Sequence, residues 1–168
     1  MTIPVGAFFE HSAWANERVL EVCEGLSDEQ LDHRGDASYG SIRETLLHIL
    51  SSEQSYVRRA GGTPPREVVQ LGAFPGFEVL KRAARANGAA LAETAAAVPG
   101  DRVVLEEGAG FKEEVVAPVY FVQAIHHSGE HRTQIVAMLN ALGVAPPEFD
   151  EAISGWGWGE ATGLMKAV

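Results

Sequence analysis

The stretch Ser41-Ile42-Arg43-Glu44-Thr45-Leu46-Leu47-His48-Ile49-Leu50, continued by Tyr56 and Val57, decides the fold class. Ser41 followed three residues later by Glu44 is a capping box: the serine hydroxyl accepts from the amide three residues on, and the glutamate reaches back to the serine amide. Behind that start, Ile42, Leu46, Ile49, Leu50, Tyr56 and Val57 form the apolar stripe of a helix with one buried face. The helix is expected to run to about Ala60, where Gly61-Gly62-Thr63-Pro64-Pro65 stops it.

The same period recurs on both sides. From Pro4 to Leu26, the residues Val5, Phe8, Phe9, Val19, Val22, Cys23 and Leu26 predict a first helix, and Ser27-Asp28-Glu29-Gln30 is a second capping box that opens a short helical turn. Pro75 suits a first helical position, and Phe77, Leu80, Ala84, Asn87, Leu91, Ala95 and Val98 follow at steps of three and four. Pro118 opens the last long helix, with Phe121, Val122, Ile125, Ile135, Leu139 and Leu142 as its stripe and Gly143 as its stop. Val103-Val104-Leu105 and Val115-Val116 flank Gly108-Ala109-Gly110, which predicts a small hairpin or extended loop. Four long amphipathic helices with too little strand for a sheet give an all-α fold, a four-helix bundle, as one domain over residues 1–168. The connection after Ala60, roughly fifteen residues, permits a crossover.

At 168 residues and 46% apolar the chain suits one core. Its net charge of -10 repels phosphate backbones and anionic headgroups, so neither nucleic acid nor membrane is an expected partner. The first residues do not read as a secretion signal, and no window approaches the roughly 18 apolar residues of a membrane span, so the expected location is cytoplasmic. Cys23 is the sole cysteine, which rules out an intrachain disulfide and reads as core.

The chemistry lies in His126-His127-Ser128-Gly129-Glu130-His131-Arg132. His127 and His131 are one helical turn apart, at the edge of their helix's apolar stripe near Tyr120, Ala124, Gln134 and Met138, where two imidazoles can share a cleft and a metal ion. On spacing alone such a pair is more often two ordinary histidines. His126 points to the other side and is expected in solvent. His48, on a helix side shared with Glu44, Thr45, Ser52 and Ser55, is the candidate third ligand; alone it would read as a surface residue. His127 to His131 also matches H-x-x-E-H, the pattern of inverted zinc peptidases, but Glu130 points away from the core side and reads as a solvated charge. His11 and His33 lack a comparable setting.

These residues resemble a known family. Ser38-Tyr39-Gly40-Ser41-Ile42-Arg43-Glu44-Thr45-Leu46-Leu47-His48-Ile49-Leu50, with Glu53 after it, is similar to the second-helix signature of the DinB-like (damage-inducible, YfiT-related) metal-dependent enzymes. His127-Ser128-Gly129-Glu130-His131-Arg132-Thr133-Gln134-Ile135 resembles that family's fourth-helix motif, with Thr133 where a glycine is usual, and Trp14-Ala15-Asn16 fits helix one. The resemblance implies up-up-down-down connectivity, a homodimer, and a divalent metal held by His48, His127 and His131. It also implies a transferase or isomerase acting on a small-molecule substrate with a low-molecular-weight thiol such as bacillithiol, mycothiol or glutathione.

Three neutral imidazoles leave an ion an open position, as catalytic sites do, and the ion would lower the pKa of a bound water or thiol. Zinc or nickel is the expected metal and iron the alternative, since imidazole suits all of them. Glu44, Glu130 and Gln134 are the candidates for a second layer around the ligands. The competing function class is a non-catalytic, stress-related dimeric bundle that holds a small ligand, with structural metal or none. Trp156 and Trp158, set between glycines, are expected either to lid the cleft or to cover a bundle end or dimer contact.

Overall fold

The computed structural model describes residues 4–145 and 153–165 of the chain. Among them α1 spans Gly6–Glu24, α2 Asp28–Leu31, α3 Ile42–Ala60, α4 Phe77–Ala97, α5 Pro118–Ala141 and α6 Gly155–Ala161, with an antiparallel hairpin of β1, Val103–Gly108, and β2, Phe111–Val116, before α5. Both capping boxes form: the Ser27 hydroxyl accepts from Gln30 N and the Ser41 hydroxyl from Glu44 N, each with the reciprocal side-chain bond. Pro118 sits in the first turn of α5, and Gly143 takes φ 68° just beyond its end, the left-handed geometry that stops a helix. Pro75 lies outside α4, because Gly76 at φ 92° breaks the run and the helix begins at Phe77.

Residue pairings fix the helix directions. Along α1, Phe9 shares the smaller core cluster with Val57 of α3, Asn16 bonds Glu53, and Leu20 lines one cavity with Leu46, so these two helices run antiparallel. Lys81 and Arg85 of α4 pair with Glu24 and Glu17 of α1, again antiparallel. On α3 and α4, Leu50 O accepts from Asn87, Val57 and Leu91 share the smaller core cluster, and Gly62, just past α3, lies against Thr94, so α3 and α4 are parallel. On α3 and α5, Tyr56 meets His127, Glu53 meets Ser128 and His48 meets His131, so these are antiparallel.

The bundle therefore runs up-down-down-up, which corrects the up-up-down-down connectivity expected from the resemblance. The links 25–41, 61–76 and 98–117 are of similar length, so length alone did not show which one crosses. Residues 25–41 turn back at one end through α2, and 98–117 turn back at the other through the hairpin. Only the link after α3 travels the length of the bundle. A chain of that size reaches about 50 Å extended, against about 28 Å for the 19 residues of α3. It is tied midway by Gln54, whose Nε2 donates to Glu67 O (3.0 Å) and whose Oε1 accepts from Val69 N (3.1 Å).

The buried apolar residues fall into two clusters. The larger contains Val19, Leu20, Leu46, Leu50, Leu80, Ile135 and Leu139 among others; the smaller contains Phe9, Val57, Leu91 and Ala124. Between them each helix contributes polar residues instead: Ser12 and Asn16 from α1, Glu53 from α3, Asn87 from α4, and Ser128 and Arg132 from α5, all buried.

Candidate metal centre

His48 reaches the groove between α3 and α5 from one side, and His127 and His131 from the other. One ligand atom from each of the three lies within 4.8 Å of the others. His127 Nε2 is 3.0 Å from His48 Nε2. Two imidazole nitrogens bound to one zinc at about 2.0–2.1 Å stand roughly 2.9–3.4 Å apart for angles near 90–110°, so this pair is already at ligand spacing. His127 and His131 are buried and His48 is half-buried.

The ring orientations are fixed from outside the cluster. His131 Nδ1 lies 2.8 Å from Gln134 Oε1, an acceptor that favours the tautomer with the proton on Nδ1 and the lone pair on Nε2. The same Gln134 oxygen accepts from Tyr39 N at 3.1 Å. The Tyr39 ring stacks face to face on His48, with centroids 3.7 Å apart and planes within 7°. Tyr56 packs edge-on against His127 at 5.7 Å. His127 Nδ1 is buried and finds no hydrogen-bond partner among the described residues.

Burial pushes the His127 pKa down to about 4, helped by the neighbouring His131, His48 and His126. His48 is also lowered, by burial first and His131 second. Both rings are neutral at pH 7, the form that binds metal. Three imidazole donors, two already at ligand spacing, fit a divalent transition metal.

The other sequence candidates divide. Gln134 is brought to the cluster as described. Glu44 is engaged elsewhere: it accepts from Ser41 N (2.8 Å) and Arg34 Nη2 (2.7 Å), and the Ser41 amide first, then Arg34, hold its carboxyl below the usual range. Glu130 is exposed and faces His126 at 3.6 Å, the other exposed side of the helix, so the H-x-x-E-H match supplies no base. Thr45 does not line a cleft; it is fully buried and donates to Ser41 O. His11 bonds Ile153 O and packs against Trp14 and Trp158, which docks α6 on α1. Trp156 is 70% exposed, and neither tryptophan stacks on the histidine cluster, so the lid reading fails.

Three features escaped the sequence reading. Tyr39 stood in the quoted signature and Tyr56 in the apolar stripe, but nothing local showed that they would face imidazoles. The third is the buried polar layer. Glu53 sits at a core position of the α3 stripe, three residues after Leu50 and four before Val57, and Asn87 sits in the α4 stripe; polar residues at apolar phase were the signal. Glu53 accepts from Asn16 Nδ2 (2.9 Å), Asn87 Nδ2 (3.1 Å) and Ser128 Oγ (2.8 Å). Arg132 Nη1 donates to Asn16 Oδ1 (2.7 Å) and Ser12 Oγ (3.1 Å). Burial raises the Glu53 pKa against these donors and pushes Arg132 down to about 10.

A helical bundle with a three-histidine cluster between its second and last long helices is built as a candidate metal-binding protein. The chain belongs to the DinB family, whose family model matches residues 1–159. None of the curated proteins matches the sequence. Among the described residues, no helix is long and apolar enough to cross a membrane.

Proposed function

We propose that the chain is a metal-dependent enzyme acting on small electrophiles, with His48, His127 and His131 holding a divalent ion, zinc or nickel ahead of iron. The observation that carries this is the convergence of three imidazole donors within 4.8 Å from two helices. When bound, such an ion keeps an open position and lowers the pKa of a water or thiol placed there. The protein's own part is orientation: Gln134 sets the His131 tautomer, and Tyr39 sets the plane of His48. Among the described residues no carboxylate is grouped with the imidazoles, since Glu44 and Glu130 are engaged elsewhere. A low-molecular-weight thiol that brings its own nucleophile is the co-substrate of this reading. Tyr39 also lines a cavity of about 250 Å³ with Arg34, Glu44, Leu47, Leu71 and Gly72, room for part of a small substrate.

A homodimer in the cytoplasm, where such thiols are kept reduced, fits this reading. Metal content per chain in untagged protein tests it first, for wild type and His48→Ala. Near-stoichiometric metal that falls in the variant supports the site, and thiol-dependent turnover of an electrophile panel supports the transferase. No metal in wild type after reloading with Zn²⁺, Ni²⁺ and Fe²⁺ overturns the reading and leaves a non-catalytic bundle.

A further inference from the structure

Between Ala124 and Ile135, the buried residues of α5 are His127, Ser128, His131 and Arg132, with Ser128 wholly enclosed. Over that span the only apolar side chain packed on the core is the partly buried Ile125, so the turn bearing His127 and His131 is seated chiefly by polar groups. Apolar contact is non-directional, whereas a buried hydrogen bond fixes position, and setting register is the best-attested use of buried polar groups. Two such contacts hold this stretch from the inside. Arg132 ties it to α1 through Ser12 and Asn16. Ser128, which lies between His127 and His131 in sequence, ties it to Glu53, and Glu53 belongs to α3, the helix that carries His48. The carboxylate is itself held by Asn16 of α1 and Asn87 of α4. All four long helices therefore converge on one side chain at the level of the cluster.

We propose that Glu53 is a positioning residue of the histidine cluster: through Ser128 it sets the depth and register of the α5 turn bearing His127 and His131 against His48 on α3. The scale supports this. A slip of α5 by one turn moves its side chains about 5.4 Å, more than the 4.8 Å that spans the three donor atoms. The consequence for metal binding rests on the reading of the cluster as a metal site; the juxtaposition of the rings does not.

The test compares Ser128→Ala with Gln54→Ala in the full-length protein. Ser128→Ala removes the α5 contact with Glu53 while keeping the helix. Gln54 is a buried polar neighbour of Glu53 whose bonds go to the link after α3, so its loss loosens the bundle without touching this contact. Two readouts are taken: Co²⁺ affinity with the visible spectrum of the complex, and the nuclear Overhauser effect between the His48 and His127 rings in metal-free protein. In Ser128→Ala the expected result is Co²⁺ affinity lower by about tenfold or more, an altered spectrum and a lost ring-to-ring effect. Gln54→Ala is expected within about twofold of wild type, with both signatures kept. A Ser128→Ala protein indistinguishable from wild type, or the two variants equally impaired, overturns the proposal. If wild type binds no Co²⁺ the metal reading falls, and the ring-to-ring effect still decides: its loss in Ser128→Ala alone supports positioning by Glu53, and its survival there overturns it.

Discussion

Gln134→Leu removes one oxygen that serves two histidines. Its Oε1 accepts from His131 Nδ1 at 2.8 Å and from Tyr39 N at 3.1 Å, and the Tyr39 ring covers His48 at 3.7 Å. Leucine keeps the bulk and the helix propensity, so α5 persists while the acceptor disappears. His131 then loses the bond that leaves Nε2 as its free nitrogen, and the Tyr39 loop loses its tether. Loss of an outer hydrogen bond to a ligating histidine typically weakens metal binding 10- to 100-fold, about 1.4–2.7 kcal/mol. The value is expected toward the upper part of that range because two rings are released at once. Competition for Zn²⁺ against a chromophoric chelator at fixed pH measures it. Gln134→Glu keeps an acceptor at the same reach and should bind at least as tightly as wild type. A Gln134→Leu protein within twofold of wild type would show that the oxygen does not orient the ligands. A Gln134→Glu protein impaired as badly as the leucine variant would show that amide packing, not the acceptor, matters.

Protons should compete with Co²⁺ for His127 and His48 only below the pH at which an ordinary histidine protonates, because their folded pKa values are depressed, His127 to about 4, and a pH titration of Co²⁺ affinity checks it. For the metal-free protein the depressed pKa means that the fold prefers neutral His127. The associated stability is present above about pH 6.5 and is lost as pH falls toward 4, which denaturation midpoints across that window will show. Two glycine-to-alanine changes should shift stability in opposite directions. A Cβ at Gly88 would lie 2.6 Å from Ala13 Cβ and 3.0 Å from Phe9 O, so overpacking of about 1–3 kcal/mol outweighs a propensity gain of about 1 kcal/mol and lowers the melting temperature. At Gly129 the nearest atom is Arg132 Nη2 at 3.8 Å, and the same change should raise the melting temperature by a few degrees; equal signs in thermal denaturation would refute the α1–α4 packing. The Cys23 thiol, buried and pushed up to about 12, should resist a thiol-reactive chromogen in native protein and react stoichiometrically in denaturant.

The long helices, the hairpin and several helix ends were legible along the chain because their signals act over a few residues; the start of α4 after Gly76 and the short α6 were not. A serine three residues before Glu44 or Gln30, a proline at the start of α5 and a glycine beyond its end act locally, and both capping boxes formed as read. The His127/His131 pair was equally local, since a helix places residues four apart on one face whatever surrounds it. Helix direction was not local. The three links are alike in length, and only pairings such as Asn16 with Glu53 and Leu50 with Asn87 show which link crosses. The bond of Glu44 to the Ser41 amide and the exposure of Glu130 were local too, readable from the capping box and the helix phase, whereas the approach of Arg34 to Glu44 and of the Tyr39 amide to Gln134 was not. Arg34 lies ten residues from Glu44 and Tyr39 ninety-five from Gln134, so those partners depend on how the chain packs. Only tertiary structure brought Tyr39 onto His48 and closed the Glu53 layer, because contacts between helices depend on register, and register is a property of the packed bundle rather than of any one helix.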